Sequence, residues 1–261
     1  LPKEMSILEH IDELRARLVR ILISVVAITL FTFLFGIQEF RYGDLKIYLP
    51  YPNVYNNISA QFLWKVKEDL LPSYVQLIVT SPGQAVLAQI ETSLFLGVIF
   101  SMPIIVYQIG KFVSPALYPS ERRMILRIIV PSVILFSFGC IFSYLIVTPF
   151  TFDFLYKYSI TLGAQPFITI DDFISFVLLF TLAFGLSFQL PIIMVMLTSL
   201  GIVDAQFWKK NFSYAVVAIV IFGAFITPDT SGITMWFVAI PMIVLYVIGY
   251  LFSRRKVKVN P

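Results

Sequence analysis

The chain has 261 residues, of which 59% are hydrophobic and 13% charged, with a formal net charge of +4 and a mean hydropathy of +0.88. Soluble domains carry roughly 45–50% apolar and about 25% charged residues, so a soluble globular fold is excluded and residues 1–261 read as a single integral membrane domain. One cysteine and one histidine leave no intrachain disulfide, no Cys/His metal spacing and no Ser/His constellation, and no Gly-rich phosphate loop is present, so neither enzyme chemistry nor a cofactor is expected.

The first element is an arm over residues 1–17. Ser6 and Glu9 have capping-box spacing, and Ile7, Ile11, Leu14 and Leu18 recur at helical spacing, which predicts an amphipathic helix feeding the first apolar run. Its other face carries Glu9, Asp12 and Glu13, and Glu13 lies four residues before Arg17, a spacing that allows a helical ion pair. That first run, 18–35, follows about 17 mostly polar residues and lacks a small-residue cleavage pattern, so it is expected to be a retained helix.

Residues 37–80 form the long connection to the next span. Ser59 is expected to cap a short helix with Leu63, Val66 and Leu70 on one apolar stripe, Pro72 ending it and Trp64 suiting a membrane interface. This connection reads as a lid over the span ends. Asn57-Ile58-Ser59 is an N-glycosylation sequon; Asn211-Phe212-Ser213 has the same spacing.

The remaining apolar runs are 85–106, 128–147, 173–200, 214–226 and 233–252. The fifth of the six, even stretched to 212–227, offers about 16 residues or roughly 24 Å, short of the roughly 30 Å hydrocarbon core. It either spans with local thinning or is a re-entrant or buried helix. Pro103, Pro131, Pro149, Pro191 and Pro241 punctuate the runs, and each removes a backbone donor and crowds the preceding turn. Cys140, inside the third run, reads as a small packing residue.

Between the second and third runs lies the loop 107–123. There Phe112, Pro115, Tyr118 and Pro119 stiffen the backbone on which Glu121 stands, a fixed acidic site suited to a cationic partner. Glu91 in the second run and Gln189 in the fourth are polar groups that need partners at membrane depth.

Five of the nineteen basic residues, Arg41, Lys46, Lys65, Lys67 and Lys157, fall on one side of this six-span topology, and the remaining fourteen on the other. The positive-inside rule then puts both termini and the Glu121 loop in the cytoplasm, so the net charge reports topology and implies no nucleic-acid partner.

The motifs HIDELRARL (10–18), SMPIIVYQ (101–108), FVSPALYPSERR (112–123), AFGLSFQLP (183–191), ITPD (226–229) and AIP (239–241) resemble, in order, those of the TatC family, the multispanning receptor of twin-arginine protein export. The likeness covers nearly the whole chain except about 36–80. It implies an all-α polytopic fold of six transmembrane helices, several bent at prolines, in a concave glove-like bundle in the cytoplasmic membrane with both termini cytoplasmic. It also implies binding of twin-arginine signal peptides of folded cargo, assembly with small single-span subunits into an oligomeric complex, and translocation driven by the proton-motive force.

Carried onto this chain, the resemblance puts Glu13, Glu121, Phe112, Tyr118, Arg15 and Pro115 at the signal-binding surface, and Gln189 and Glu91 along an intramembrane groove. Each guanidinium of a twin-arginine motif can take a bidentate pair of hydrogen bonds from one carboxylate, so two separated acids, Glu13 and Glu121, suit two arginines where lysine would not. At 189 the family often has glutamate; glutamine here removes a titratable group and keeps hydrogen bonding. Asp229 matches the family's outer-turn aspartate and is also ordinary turn chemistry. A secondary transporter of a small solute is the alternative, although no half-to-half repeat is visible.

Overall fold

The computed structural model describes residues 7–42, 45–113, 119–227 and 232–257. In chain order the elements are α1 (Ile7–Leu34), β1 (Phe35–Tyr42), β2 (Leu45–Pro52), α2 (Ile58–Leu70), β3 (Gln76–Ile78), α3 (Gln84–Val113), α4 (Pro119–Phe142), a π turn (Ser143–Val147), α5 (Thr148–Thr161), β4 (Phe167–Thr169), α6 (Ile170–Ser187), α7 (Leu190–Ser199), α8 (Ala205–Lys210), α9 (Phe212–Ile226) and α10 (Thr234–Val257). All six apolar runs are helical. Five stretches are long and apolar enough to cross a membrane, Leu8–Leu34, Gln84–Phe112, Ile128–Thr161, Ile170–Ser199 and Thr234–Arg255, and the shorter Phe212–Ile226 is the sixth.

The chain forms two compact units, Leu1–Ile129 with Ser159–Leu178, and Val130–Tyr158 with Leu179–Pro261. In the first, α1 runs unbroken from the arm into the first span and lies against α3. The two backbones approach at Gly97, where a Cβ would overlap Thr29 Oγ1 and stand 2.9 Å from the Val25 carbonyl. Thr32 lies one turn further along α1 and donates to the Thr29 carbonyl at 3.0 Å and the Ser93 carbonyl at 3.4 Å.

The connection after α1 holds more structure than a loop with one helix. β1 and β2 pair antiparallel from Phe35 opposite Pro52 to Tyr42 opposite Leu45, and β3 pairs parallel with β4, Gln76 opposite Phe167. The expected helix is α2: Val66 and Leu70 are buried, Leu63 is half-buried, Trp64 is exposed, and the helix stops before Pro72. Its cap is not Ser59 but Asn57. The Asn57 side chain accepts from the Ala60 amide at 2.8 Å and the Ser59 hydroxyl at 2.7 Å, and it donates to the carbonyls of Phe33 at 2.5 Å and Val54 at 3.1 Å. Asparagine wins because its amide also ties α2 to the end of α1, which a hydroxyl two residues later cannot do.

In the second unit, close approach is made through glycine between aromatic rings. A Cβ at Gly139 would stand 2.7 Å from the Phe184 carbonyl and 2.9 Å from the Phe188 ring; one at Gly185 would stand 2.7 Å from the Phe136 ring and 2.8 Å from Cys140 Sγ. Phe142 meets Phe184 and Phe188 at 5.8 Å between ring centroids, so the buried Cys140 is indeed a packing residue. The third span continues beyond the expected end at 147. A π turn admits Pro149: Thr148 N–H reaches back to the Ser143 carbonyl, five residues earlier, and the wider turn relieves the crowding that a proline ring imposes. The fourth run, in which Pro191 was expected to bend or interrupt the helix, breaks at Phe188–Gln189, and Pro191 opens α7 near its N-terminus, where a missing N–H costs nothing. Pro103, Pro131 and Pro241 sit inside continuous helices.

Candidate functional site

The arm of α1 faces α3 with its polar side. Ile11, Leu14 and Leu18, of the expected apolar stripe, are 56%, 38% and 54% exposed, whereas Glu13 and Arg17 retain 19% and 13% of their side-chain exposure. Of the polar face, Glu9 and Asp12 are exposed while Glu13 and Arg17 are withdrawn from solvent, and the apolar stripe is left for lipid, as in helices that lie at a membrane surface.

Arg17 donates to Glu13 Oε1 through Nε at 3.0 Å and also through Nη2, and its Nη1 donates to Gln108 Oε1 at 3.2 Å. Gln108 stands on the last turns of α3, four residues before Phe112, whose ring stacks on His10 of α1 with centroids 4.4 Å apart and 15° between planes. One end of the arm is thus clamped to α3 by a polar network and a ring stack. Glu13 Oε2 is buried and has no hydrogen-bond partner among the described residues. Leaving a carboxylate oxygen both dry and unpaired is costly, of order 1–3 kcal/mol, which marks the position as one awaiting a donor.

Of the other expected residues, Arg15 points away from this network, exposed and without an ion pair among the described residues. Phe112 has one face taken by His10. Glu121 is the third residue of α4, in its first turn, but its side chain lies outside the described residues, as do Pro115 and Tyr118 in the preceding loop and Asp229. Ser6 of the expected capping box also lies outside them. Glu91, half-buried on α3, accepts from the Ser175 hydroxyl at 2.8 Å, so its membrane-depth partner is a serine of α6. Gln189 sits at the α6–α7 break and donates to the Ser132 carbonyl at 3.1 Å, an interhelical bond that glutamine makes without titrating. Sequence reasoning missed Gln108 and His10; the signal for Gln108 was a polar residue at the helical end of an apolar run. Among the described residues no group of three or more His, Cys, Asp or Glu side chains could hold a metal ion.

Residues 9–241 match the family described as Sec-independent protein translocase protein (TatC). The chain is similar to the Sec-independent protein translocase protein TatC of Cenarchaeum symbiosum, 45% identical over 253 residues that cover 97% of this chain and 96% of the relative. Its similarity to the protein of the same description from Aquifex aeolicus is 34% over 264 residues, covering 98% and 99%. Two crystal structures described as the twin-arginine translocase receptor TatC, one of them in DDM, superimpose with a TM-score of 0.78 each. They are 29% and 32% identical and cover 95% and 94% of this chain and 99% of theirs.

Proposed function

Because the chain belongs to the TatC family of Sec-independent protein translocase proteins, we propose that it reads the two arginines of a signal peptide with the carboxylates of Glu13 and Glu121. It is a multi-pass membrane protein and the receptor component of twin-arginine export. The observation that carries the finer reading is Glu13 itself: one oxygen already holds a guanidinium in two-donor geometry, and the other is buried and has no partner among the described residues. A second guanidinium fits that acceptor, and an ammonium cannot reproduce the planar fork. Glu121, in the first turn of α4, supplies the second acid, and Arg15, Phe112, Pro115 and Tyr118 are the further residues assigned to the signal. Glu91 and Gln189 are the polar groups at membrane depth assigned to the signal's apolar stretch. Arg17 and Gln108 hold the Glu13 carboxylate in place. In this reading the termini and the site are cytoplasmic, the membrane is the cytoplasmic membrane, and small single-span subunits join the receptor in an oligomer to move folded cargo with the proton-motive force. None of the relatives or structures above is a small-solute transporter.

The test is binding of a fluorescent signal peptide to the purified protein, with twin arginine against twin lysine. Loss of a hydrogen bond to a charged group is worth roughly 1.5–3 kcal/mol, so Glu13→Gln and Glu121→Gln each lower the affinity for twin arginine by about 10- to 100-fold and leave twin-lysine binding weak and unchanged. Undiminished twin-arginine binding by both variants overturns the assignment.

A further inference from the structure

Away from that site, one cavity brings two cations together. A pocket of about 160 Å³ is lined by Ala205, Gln206 and Lys209 of α8 and by Tyr250 and Arg254 of α10. Tyr250 and Arg254 are one turn apart and so share a face of α10; Ala205 and Lys209 are likewise one turn apart on α8. Neither Lys209 nor Arg254 has an ion-pair partner among the described residues. The nearest carboxylate in sequence, Asp204, precedes α8 and does not line the cavity.

The walls are held in place by hydrogen bonds that link three helices. Trp208 Nε1 donates to Thr198 Oγ1 of α7 at 2.9 Å, and Tyr246 of α10 donates through its hydroxyl to the Trp208 carbonyl at 2.8 Å. The height of the pocket follows from the chain. α8 joins the end of α7 to the start of α9, and the apolar stretch of α10 ends at Arg255, so Lys209 and Arg254 lie where spans leave hydrocarbon. Tyrosine and tryptophan favour that level. Lys210 and Arg255, the exposed chain neighbours of Lys209 and Arg254, do not line the pocket.

A solvated pair of basic side chains needs no cavity, whereas this one adds a tyrosine hydroxyl and a glutamine amide to a guanidinium fork and an ammonium. That donor set matches the several acceptor oxygens of a phosphate, the fork taking two of them and the ammonium acting as a point charge. We propose that the pocket binds a phosphate group, supplied at this height by the headgroup of an anionic phospholipid.

The experiment uses the full chain in nanodiscs of phosphatidylcholine containing a minor share of phosphatidylglycerol, with co-retained lipid counted by mass spectrometry; a parallel arm titrates inorganic phosphate into the detergent-solubilised protein. With about fivefold per basic residue near an anionic headgroup, the Lys209→Gln/Arg254→Gln variant loses phosphatidylglycerol retention by about 25-fold, while Lys210→Gln/Arg255→Gln keeps most of it. Thermal unfolding of each variant in phosphatidylcholine alone verifies that the fold is intact. Loss confined to the phosphate arm overturns the lipid source, and wild-type retention in both arms by the Lys209/Arg254 variant overturns the site.

Discussion

Arg17 reaches Glu13 through two nitrogens, and both bonds end on the same carboxylate oxygen. The pair sits one helical turn apart, so its register is set by α1 alone, while Gln108 of α3 takes the third direction of the guanidinium. Replacing Arg17 with lysine keeps the charge and loses the fork. Arg17→Lys is expected to weaken twin-arginine signal binding by about 10-fold, as a lost hydrogen bond to a charged group would. Gln108→Leu, which frees one guanidinium nitrogen and leaves the pair intact, should weaken it less. Peptide titration of both variants checks the order.

The approach of α1 to α3 at Gly97 leaves no room for a side chain. Gly97→Leu forces the helices apart and is expected to cost about 1–3 kcal/mol, as overpacking does. Gly83→Ala, where a Cβ meets nothing within 4 Å, should be neutral. Unfolding of the two variants in the same detergent compares them directly.

Asn57 is fully buried and its amide nitrogen is committed to two carbonyls. The sequon is therefore closed in the folded protein: expression in a glycosylating host should leave the mass at this site unchanged. Asn57→Ala removes the α2 cap, worth about 1 kcal/mol, and orphans a carbonyl at the end of α1, worth about 1–3 kcal/mol more, and a lowered melting temperature reports the sum.

Lys65 on α2 has its pKa raised, first by its hydrogen bond with Asp69, then by attraction to that carboxylate, with Glu68 adding to it. A cation whose folded pKa is raised contributes stability at pH below its ordinary value, and that contribution disappears as pH climbs through the raised value. Because Lys65 is exposed the effect on stability is slight, and the readout is the titration itself: by NMR of labelled lysine side chains, Lys65 should titrate above its ordinary value, and Asp69→Asn should bring it down.

The spans were legible because an apolar run near 20 residues long matches the thickness of bilayer hydrocarbon and exceeds what most buried helices need, and the stop at Pro72 followed from the missing donor of proline. The hairpin β1–β2 was missed although Gly43-Asp44, a pair that commonly closes two-residue turns, separates two strand-prone runs; the apolar content around it masked the period of two. Glu13 was legible through its i, i+4 relation to Arg17. Its buried second oxygen was not, because that depends on α3 arriving alongside with Gln108 and Phe112, a contact 91 residues distant in sequence that no local pattern encodes.

The π turn at Ser143–Val147 also sets a rotational phase. An α-helix advances about 100° per residue, so the one residue accommodated in that turn is what carries the buried stripe from Phe136, Cys140 and Ser143 on to Val147 and Thr148, then to Thr151 and Phe152. Deleting Leu145 or Ile146, both exposed, would therefore restore a regular turn and leave the inward side of α5 where it is, whereas a further residue inserted there into a regular helix would swing that side by about 100° toward lipid. The third span should thus tolerate the loss of one residue at this turn, while an added residue that the turn cannot absorb would misdirect every residue that follows to Thr161.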